Sequence, residues 1–466
     1  MRRDDEAGRT WIPDLLYTGG RFERERALVC DRDGRIKGIV RAAEAAGGAV
    51  RLKARAILPG LVNAHSHAFQ RVMRGRAEHR TGSASDSFWT WRETMYSAAT
   101  RLSPEDIYDA SRMAFLEMVL SGINAVGEFH YIHHTPEGKP CDDPNLLAKE
   151  VVRAARDVGL RIALLRTAYV RSGFRTEPNE KQARFIESSA EVFLKNVERL
   201  KAELADTENA WVGIAPHSVR AVPLDFLREV IRHAVEQEMR VHMHVAEQPR
   251  EVSACMEEHG RTPVALLADE GLLGQHFTAI HAIHITPEEA NALARARAMV
   301  CACPTTERNL GDGIFPADLL FRAGVRIALG TDSHIQIDLL EDARELEYQM
   351  RLDKLERVVL APEDHQSALA ARLFDCATAC GAQSIGAPGG KLEAGRPADF
   401  FTVDLNDPSI AGSSTEDLLS SIVFSLARTS VREVFIGGKA VVEEGQHRAQ
   451  REIVERFVAL QQRLWG

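Results

Sequence analysis

The stretch ILPGLVNAHSHAFQ (57–70) is an apolar run that ends in two histidines, His65 and His67. On a strand, imidazoles at i and i+2 point to the same side, because side chains alternate faces with period two. One strand end can therefore offer two nitrogen ligands to a single metal ion. Alone the pattern is weak, since a lone histidine in such a place is ordinarily a hydrogen-bonded structural residue. It gains weight from three further runs that close in the same way. RVHMHVAE carries His244, with Glu247 three residues on; FTAIHAIHI carries His281; RIALGTDS carries Asp332.

Each run is short, apolar or β-branched, and ended by a polar residue, the pattern of a strand buried on both faces of a parallel sheet. Polar residues at the C-terminal ends of parallel barrel strands face the functional mouth of that fold. Three imidazoles and one carboxylate suit zinc, or less selectively iron or manganese.

Working outward, eight such runs lie between residues 57 and 332: ILPGLVNAH, INAVGEFHY, RIALLRTAY, WVGIAPHS, RVHMHVAE, FTAIHAIHI, AMVCACP and RIALGTDS. Amphipathic stretches such as PEDIYDASRMAFLEMVLSG and SAEVFLKNVERLKAELAD separate them. Strands alternating with helices predict an α/β fold, a (β/α)8 TIM barrel, over residues 57–385. Residues 1–56 and 386–466 read differently, as short β-like pieces with turn signals at Asp33-Gly34 and Gly437-Gly438. They predict a small β-sandwich formed by both chain termini, followed by a C-terminal helix over REIVERFVALQQRLWG (451–466).

The chain has 466 residues, 45% hydrophobic and 27% charged, the balance of a globular enzyme with a sizeable core. A net charge of −9 argues against nucleic acid as a partner. No apolar stretch reaches membrane-span length, and the start, MRRDDEAGRTWIP, has no apolar core of a secretory signal. Seven scattered cysteines without a CxxC pair read as free thiols in a reducing cytoplasm, with Cys301 and Cys303 as core residues.

These residues carry a family resemblance. The ordered set His65-x-His67, His244, His281, Asp332, with LEAGRPADFFTVDL (392–405) behind it, resembles the amidohydrolase superfamily over nearly the whole chain. Its loops are similar to those of the N-formimino-L-glutamate deiminases within it: NAHSHAFQRVMRG (63–75), DSFWTWRETMY (86–96), EFHYIHH (128–134), APHSVRAV (215–222), HVAEQ (244–248), CPTTERNLGDGIFP (303–316) and TDSHIQID (331–338).

The resemblance implies that His65, His67, His244 and Asp332 are metal ligands. It implies that Glu247 and His281 act in catalysis with Asp332, and that Gln70, Arg92, Tyr131, His217 and Arg220 hold the substrate. WVGIAPHS ends without the lysine that bridges two metals in other superfamily members, so one Zn2+ is implied. The implied reaction is hydrolysis of the C=NH of N-formimino-L-glutamate to N-formyl-L-glutamate and ammonia, by a cytoplasmic homodimer acting on a small molecule. Asp332 would take a proton from water, His281 would hydrogen-bond the water or the intermediate, and Glu247 would deliver a proton to the leaving nitrogen. Arginine's planar fork suits the two substrate carboxylates.

The alternatives are a deaminase of a nucleobase or other ring amine, whose pocket would want aromatic stacking and few arginines, and a non-catalytic barrel, which would have lost ligands. Lesser expectations complete the reading. Arg92 should lie on a long loop after the first strand. Trp89 and Trp91 should pack that loop, His130, His133 and His134 should support the site, and His334 should line the mouth without binding metal.

Overall fold

A computed structural model describes residues 8–45, 48–80, 87–177, 179–363 and 368–466. Asp86, which opens DSFWTWRETMY, and the first seven residues of the chain lie outside them. Eight parallel strands form one sheet in chain order: β1 Leu61–Ser66, β2 Ile123–His130, β3 Arg161–Ala168, β4 Ala210–Pro216, β5 Val241–Val245, β6 Phe277–His281, β7 Met299–Ala302 and β8 Ile327–Leu329. Every residue of β1, β2, β3, β5, β6, β7 and β8 is buried, which is why these strands read as continuous apolar runs.

The barrel closes where β8 returns to β1. A parallel bridge joins Ser66 and Asp332. The Asp332 amide donates to the His65 carbonyl at 3.1 Å, and the His67 amide donates to the Asp332 carbonyl at 3.1 Å. Gly330 permits this approach: a Cβ there would stand 2.6 Å from His65 Cβ and 2.9 Å from the His65 carbonyl oxygen.

The run ILPGLVNAH is shared between two sheets. Strand Val50–Pro59 belongs to a separate sheet, and the first barrel strand begins only at Leu61. Among the described residues that separate sheet has nine strands drawn from both ends of the chain. At its centre Val50–Pro59 pairs parallel with Thr10–Thr18 and antiparallel with Phe400–Asp404. The two hairpin signals hold: Gly34 turns between Arg26–Cys30 and Ile36–Arg41, and Gly437-Gly438, both at positive φ, between Val431–Ile436 and Lys439–Glu443.

Period-two alternation gives this sheet two apolar faces. Leu16, Ile57 and Phe400 join Trp11 and Phe435 in a small core of their own. Their neighbours Leu15, Leu58 and Phe401 join the main core, which is continuous with the barrel.

Helix ends follow local chemistry. Ser103 and Asp106 form a reciprocal capping box at the start of helix Pro104–Leu120, and Ser189 caps Ala190–Glu203. The C-terminal helix Gln450–Trp465 buries Ile453, Phe457, Leu460 and Leu464. It is tied to Pro104–Leu120 by a two-pronged ion pair in which Arg112 donates to Glu452 at 2.9 and 2.6 Å. Among the described residues no helix is long and apolar enough to cross a membrane.

Candidate active site

The C-terminal strand ends meet at one mouth. His65 lies within β1 with His67 just beyond it; His244 lies within β5; His281 is the last residue of β6; Asp332 follows β8. The chain turns abruptly here. Ala246, His281, Ala282 and Asp332 all have positive φ, at 51°, 71°, 50° and 45°. Such conformations cost non-glycine residues on the order of 1–3 kcal/mol each and gather at functional sites.

His244 Nε2 lies 3.3 Å from His65 Nε2, and Asp332 Oδ1 lies 3.4 Å from both His65 Nε2 and His67 Nε2. His67 Nδ1 donates to the Phe129 carbonyl at 2.9 Å, and His244 Nδ1 donates to the His217 carbonyl at 3.1 Å. A carbonyl can only accept, so both Nδ1 atoms carry the hydrogen and both Nε2 atoms present lone pairs. Burial keeps His67 and His244 below the usual imidazole range, and brings His65 down to about 3. Three neutral imidazoles, two of them oriented from behind, facing a carboxylate, are a donor set that fits one divalent cation.

His281 stands beside this group. Its Nε2 is 3.8 Å from Asp332 Oδ2 and 3.6 Å from Glu247 Oε1, while its Nδ1 is 3.1 Å from Glu307 Oε1. Burial works against a charged imidazole, yet Glu247, Glu307 and Asp332 outweigh it and hold His281 well above its usual range. Burial first, with Asp332 and Glu251 adding to it against the pull of His281, raises Glu247 to about 7. A carboxyl near neutrality suits proton transfer.

A model of the amidohydrolase family matches residues 56–441. The chain belongs to the amidohydrolase family. It is 41% identical over 414 residues to the formimidoylglutamate deiminase of Pseudomonas aeruginosa, covering 89% of this chain and 90% of that one. It is 27% identical to a 5-methylthioadenosine/S-adenosylhomocysteine deaminase of Haloquadratum walsbyi, over 87% of this chain and 82% of that one. The crystal structure of an amidohydrolase from Brucella melitensis superposes with a TM-score of 0.91 at 34% identity, over 99% of this chain and all of that one. The chain is therefore a hydrolase of carbon–nitrogen bonds with a small-molecule substrate.

In this amidohydrolase one cavity is lined by His67, His244, Glu247, His281 and Asp332 together with Gln70, Arg92, Tyr131, His217 and Arg220. His65 is fully buried behind that wall. Gln70 Nε2 donates to the Tyr131 hydroxyl at 2.9 Å, which leaves Gln70 Oε1 a buried acceptor without a partner. Arg220 Nη1 donates to the Ser172 carbonyl at 3.2 Å. His217 sits between the arginines and the histidine cluster: burial lowers its pKa, and Arg220, Arg92, His67 and His65 lower it further.

Several expectations change. Arg92 lies on helix Phe88–Ala99 and not on a loop, because Ser87 and Thr90 form a capping box that starts the helix. Trp91 lines the cavity as well as packing the helix; Trp89 instead takes Arg92 against its ring at 5.1 Å. His334 does not line the mouth. It is fully buried beneath the site, 3.0 Å from Ser66 Oγ and 3.1 Å from Thr331 Oγ1, because positive φ at Asp332 and at His334 itself turns the chain inward. Ser66 Oγ also donates to Glu128 at 2.5 Å. His133 and His134 meet the Thr167 and Ile186 carbonyls at 2.8 Å, and His130 is buried outside the cavity.

Glu307 had no role in the sequence reading. Its Oε1 also accepts from the Cys303 amide at 2.9 Å, so a fully buried carboxylate anchors the far side of the His281 ring. The sequence signal was its place inside CPTTERNLGDGIFP. Cys303 is a buried residue whose sulfur lies within 4.8 Å of ligand atoms of His281 and Glu307. Phe88, Met95, Tyr96, Tyr169, Phe185 and Leu310 complete the lining.

Proposed function

We propose that this amidohydrolase hydrolyses N-formimino-L-glutamate to N-formyl-L-glutamate and ammonia, using one zinc ion, as a cytoplasmic enzyme of histidine degradation. The observation that carries this reading is the charge pattern of one cavity. Two arginines, Arg92 and Arg220, share it with the carboxylates of Glu247 and Asp332. The substrate is an amidine, cationic near neutral pH, on a backbone with two carboxylates, and the cavity offers each its opposite charge. The 41% identity to a formimidoylglutamate deiminase supports the same substrate. The seven unpaired cysteines suit a reducing compartment.

His65, His67, His244 and Asp332 would hold the zinc. When bound, it supplies Lewis acidity that makes water a competent nucleophile near neutral pH. Asp332 divides its two oxygens: Oδ1 faces the histidines, while Oδ2 faces His281 and takes the proton from the attacking water. The water oxygen bonds to the formimino carbon as the C=N electrons move to nitrogen. His281, held protonated among its carboxylates, donates from Nε2 to the oxygen that gains charge. Glu247, ionised when the cationic amidine binds, takes the proton from the intermediate's hydroxyl and passes it to the former imino nitrogen; the C–N bond breaks and ammonia leaves as the formyl C=O forms. Gln70 Oε1, an acceptor without a protein donor, suits an amidine N–H.

A second reading, deamination of a ring amine, draws on the six aromatic residues of the lining, Phe88, Trp91, Tyr96, Tyr131, Tyr169 and Phe185. The paired arginines weigh against it, because a neutral base gives them nothing to meet.

The test is product identification by NMR. Cleavage at the imino nitrogen yields N-formyl-L-glutamate and one ammonia; glutamate and formamide would mean that the other C–N bond breaks and that the roles given to Glu247 and Asp332 are wrong.

A further inference from the structure

We propose that Tyr96 and Tyr169 form a hydroxyl pair that donates to a substrate carboxylate between Arg92 and Arg220, and that the buried amide of Gln182 holds them to that task. The inference rests on the proposed dicarboxylate substrate and adds residues that the sequence motifs did not single out.

The argument is one of hydrogen-bond direction. The backbone amide of Asn179 donates to Ser172 Oγ at 3.0 Å. Ser172 Oγ in turn donates to Gln182 Oε1. Gln182 Oε1 thus faces Ser172, and its Nε2 faces the two tyrosines. Gln182 Nε2 then donates to the Tyr96 hydroxyl at 2.8 Å and to the Tyr169 hydroxyl at 2.7 Å. An amide nitrogen cannot accept, so both phenol oxygens are acceptors there and each keeps its own hydrogen for another partner. The two oxygens are 3.5 Å apart, so one can donate to the other but they cannot both do so. At least one phenol hydrogen is left for the cavity.

The surroundings decide what receives it. Both tyrosines line the cavity together with Arg92 and Arg220. Ser172, which sets the amide through its hydroxyl, also accepts from Arg220 through its carbonyl, so one residue fixes the arginine and the phenols together. The Arg92 guanidinium lies 5.2 Å from the centre of the Tyr96 ring, and its Nη1 is a buried donor without a partner. This wall offers hydrogens and positive charge from four side chains, which is the complement of a carboxylate. Burial would raise the Tyr169 phenol, but Arg220 and Arg92 bring it below its usual range, which makes it the stronger donor.

The wall therefore selects acids over amides and neutral rings. Gln182 is a positioning residue: it touches no substrate and acts through the direction it imposes.

The test measures glutarate binding by calorimetry on the metal-loaded enzyme, with steady-state kinetics on N-formimino-L-glutamate, for wild type, Tyr96→Phe, Tyr169→Phe and Gln182→Glu. A hydrogen bond to a charged group predicts about a tenfold weaker glutarate Kd and a similar rise in KM for at least one phenylalanine variant, with kcat within about twofold. Gln182→Glu accepts from both phenols and turns their hydrogens away, so it should weaken glutarate as much while both tyrosines remain. Unchanged Kd and KM in both phenylalanine variants would overturn the carboxylate role; an unchanged Gln182→Glu beside affected tyrosines would overturn the positioning role. If wild type binds glutarate through these tyrosines but does not turn over N-formimino-L-glutamate, the substrate assignment fails and this inference stands.

Discussion

Asp332 meets His67 twice. Its main-chain carbonyl accepts from the His67 amide at 3.1 Å, and its carboxylate Oδ1 lies 3.4 Å from His67 Nε2. The seam that closes the barrel is thus also one edge of the candidate metal centre, so fold and site are coupled through the same pair.

Gly330→Ala tests that coupling. The added methyl would press on His65 at 2.6 Å, and overpacking of this kind costs about 1–3 kcal/mol. Thermal unfolding should show a lower Tm, and elemental analysis less bound metal. A variant with unchanged Tm and full metal would mean that the seam tolerates separation.

Glu247→Gln should keep its metal and lose turnover by about 10²–10⁴-fold, the range that general acid–base groups supply. The comparison is kcat alongside metal content. Turnover near the wild-type rate would remove Glu247 from proton transfer.

Glu307→Gln should lower kcat by about tenfold or more with little change in KM, because the carboxylate holds the His281 ring from the side away from substrate. A change confined to KM would place Glu307 in binding instead.

Asp312 offers a pH test of stability. Burial, and then the charge of Glu247, raise its carboxyl to about 9 from an ordinary 3.8. Its folded-state pKa is above its unfolded one, so its contribution to stability is full below about pH 4 and is lost as pH rises towards 9. Urea unfolding should show wild type losing more stability between pH 6 and pH 9 than Asp312→Asn. Equal losses would mean that Asp312 is ionised in the folded protein at neutral pH.

The barrel was legible because strands buried on both faces leave unbroken apolar runs. That same property hid the boundary at Gly60, where apolar sequence passes without a break from one sheet to another. Residues on the strand ends could be read from spacing, since period two places His65 and His67 together. His334 could not, because extrapolating a strand beyond Asp332 ignores two residues at positive φ. The Arg92 helix buries only five of twelve residues, too few to mark a helical stripe in FWTWRETMYSAA. Glu307 and Gln182 act across distances of 26 and 86 residues in sequence, to His281 and Tyr96, and no local pattern announces such pairs.

Arg220→Ala should raise KM for N-formimino-L-glutamate by about tenfold or more while metal content stays at the wild-type level, as expected for loss of a charged hydrogen-bond donor to a carboxylate. An unchanged KM would remove Arg220 from substrate binding.

The central claim, a one-metal amidohydrolase built for an amidine dicarboxylate, is tested most directly by kcat/KM for ammonia release from N-formimino-L-glutamate set against 5-methylthioadenosine, adenosine, guanine and cytosine, with one metal-loaded preparation. The account predicts turnover of N-formimino-L-glutamate at least about 10³-fold more efficient than that of any ring amine, since a ring leaves Arg92 and Arg220 without their charged partners. Efficient release from a ring amine, with none from N-formimino-L-glutamate, would contradict it.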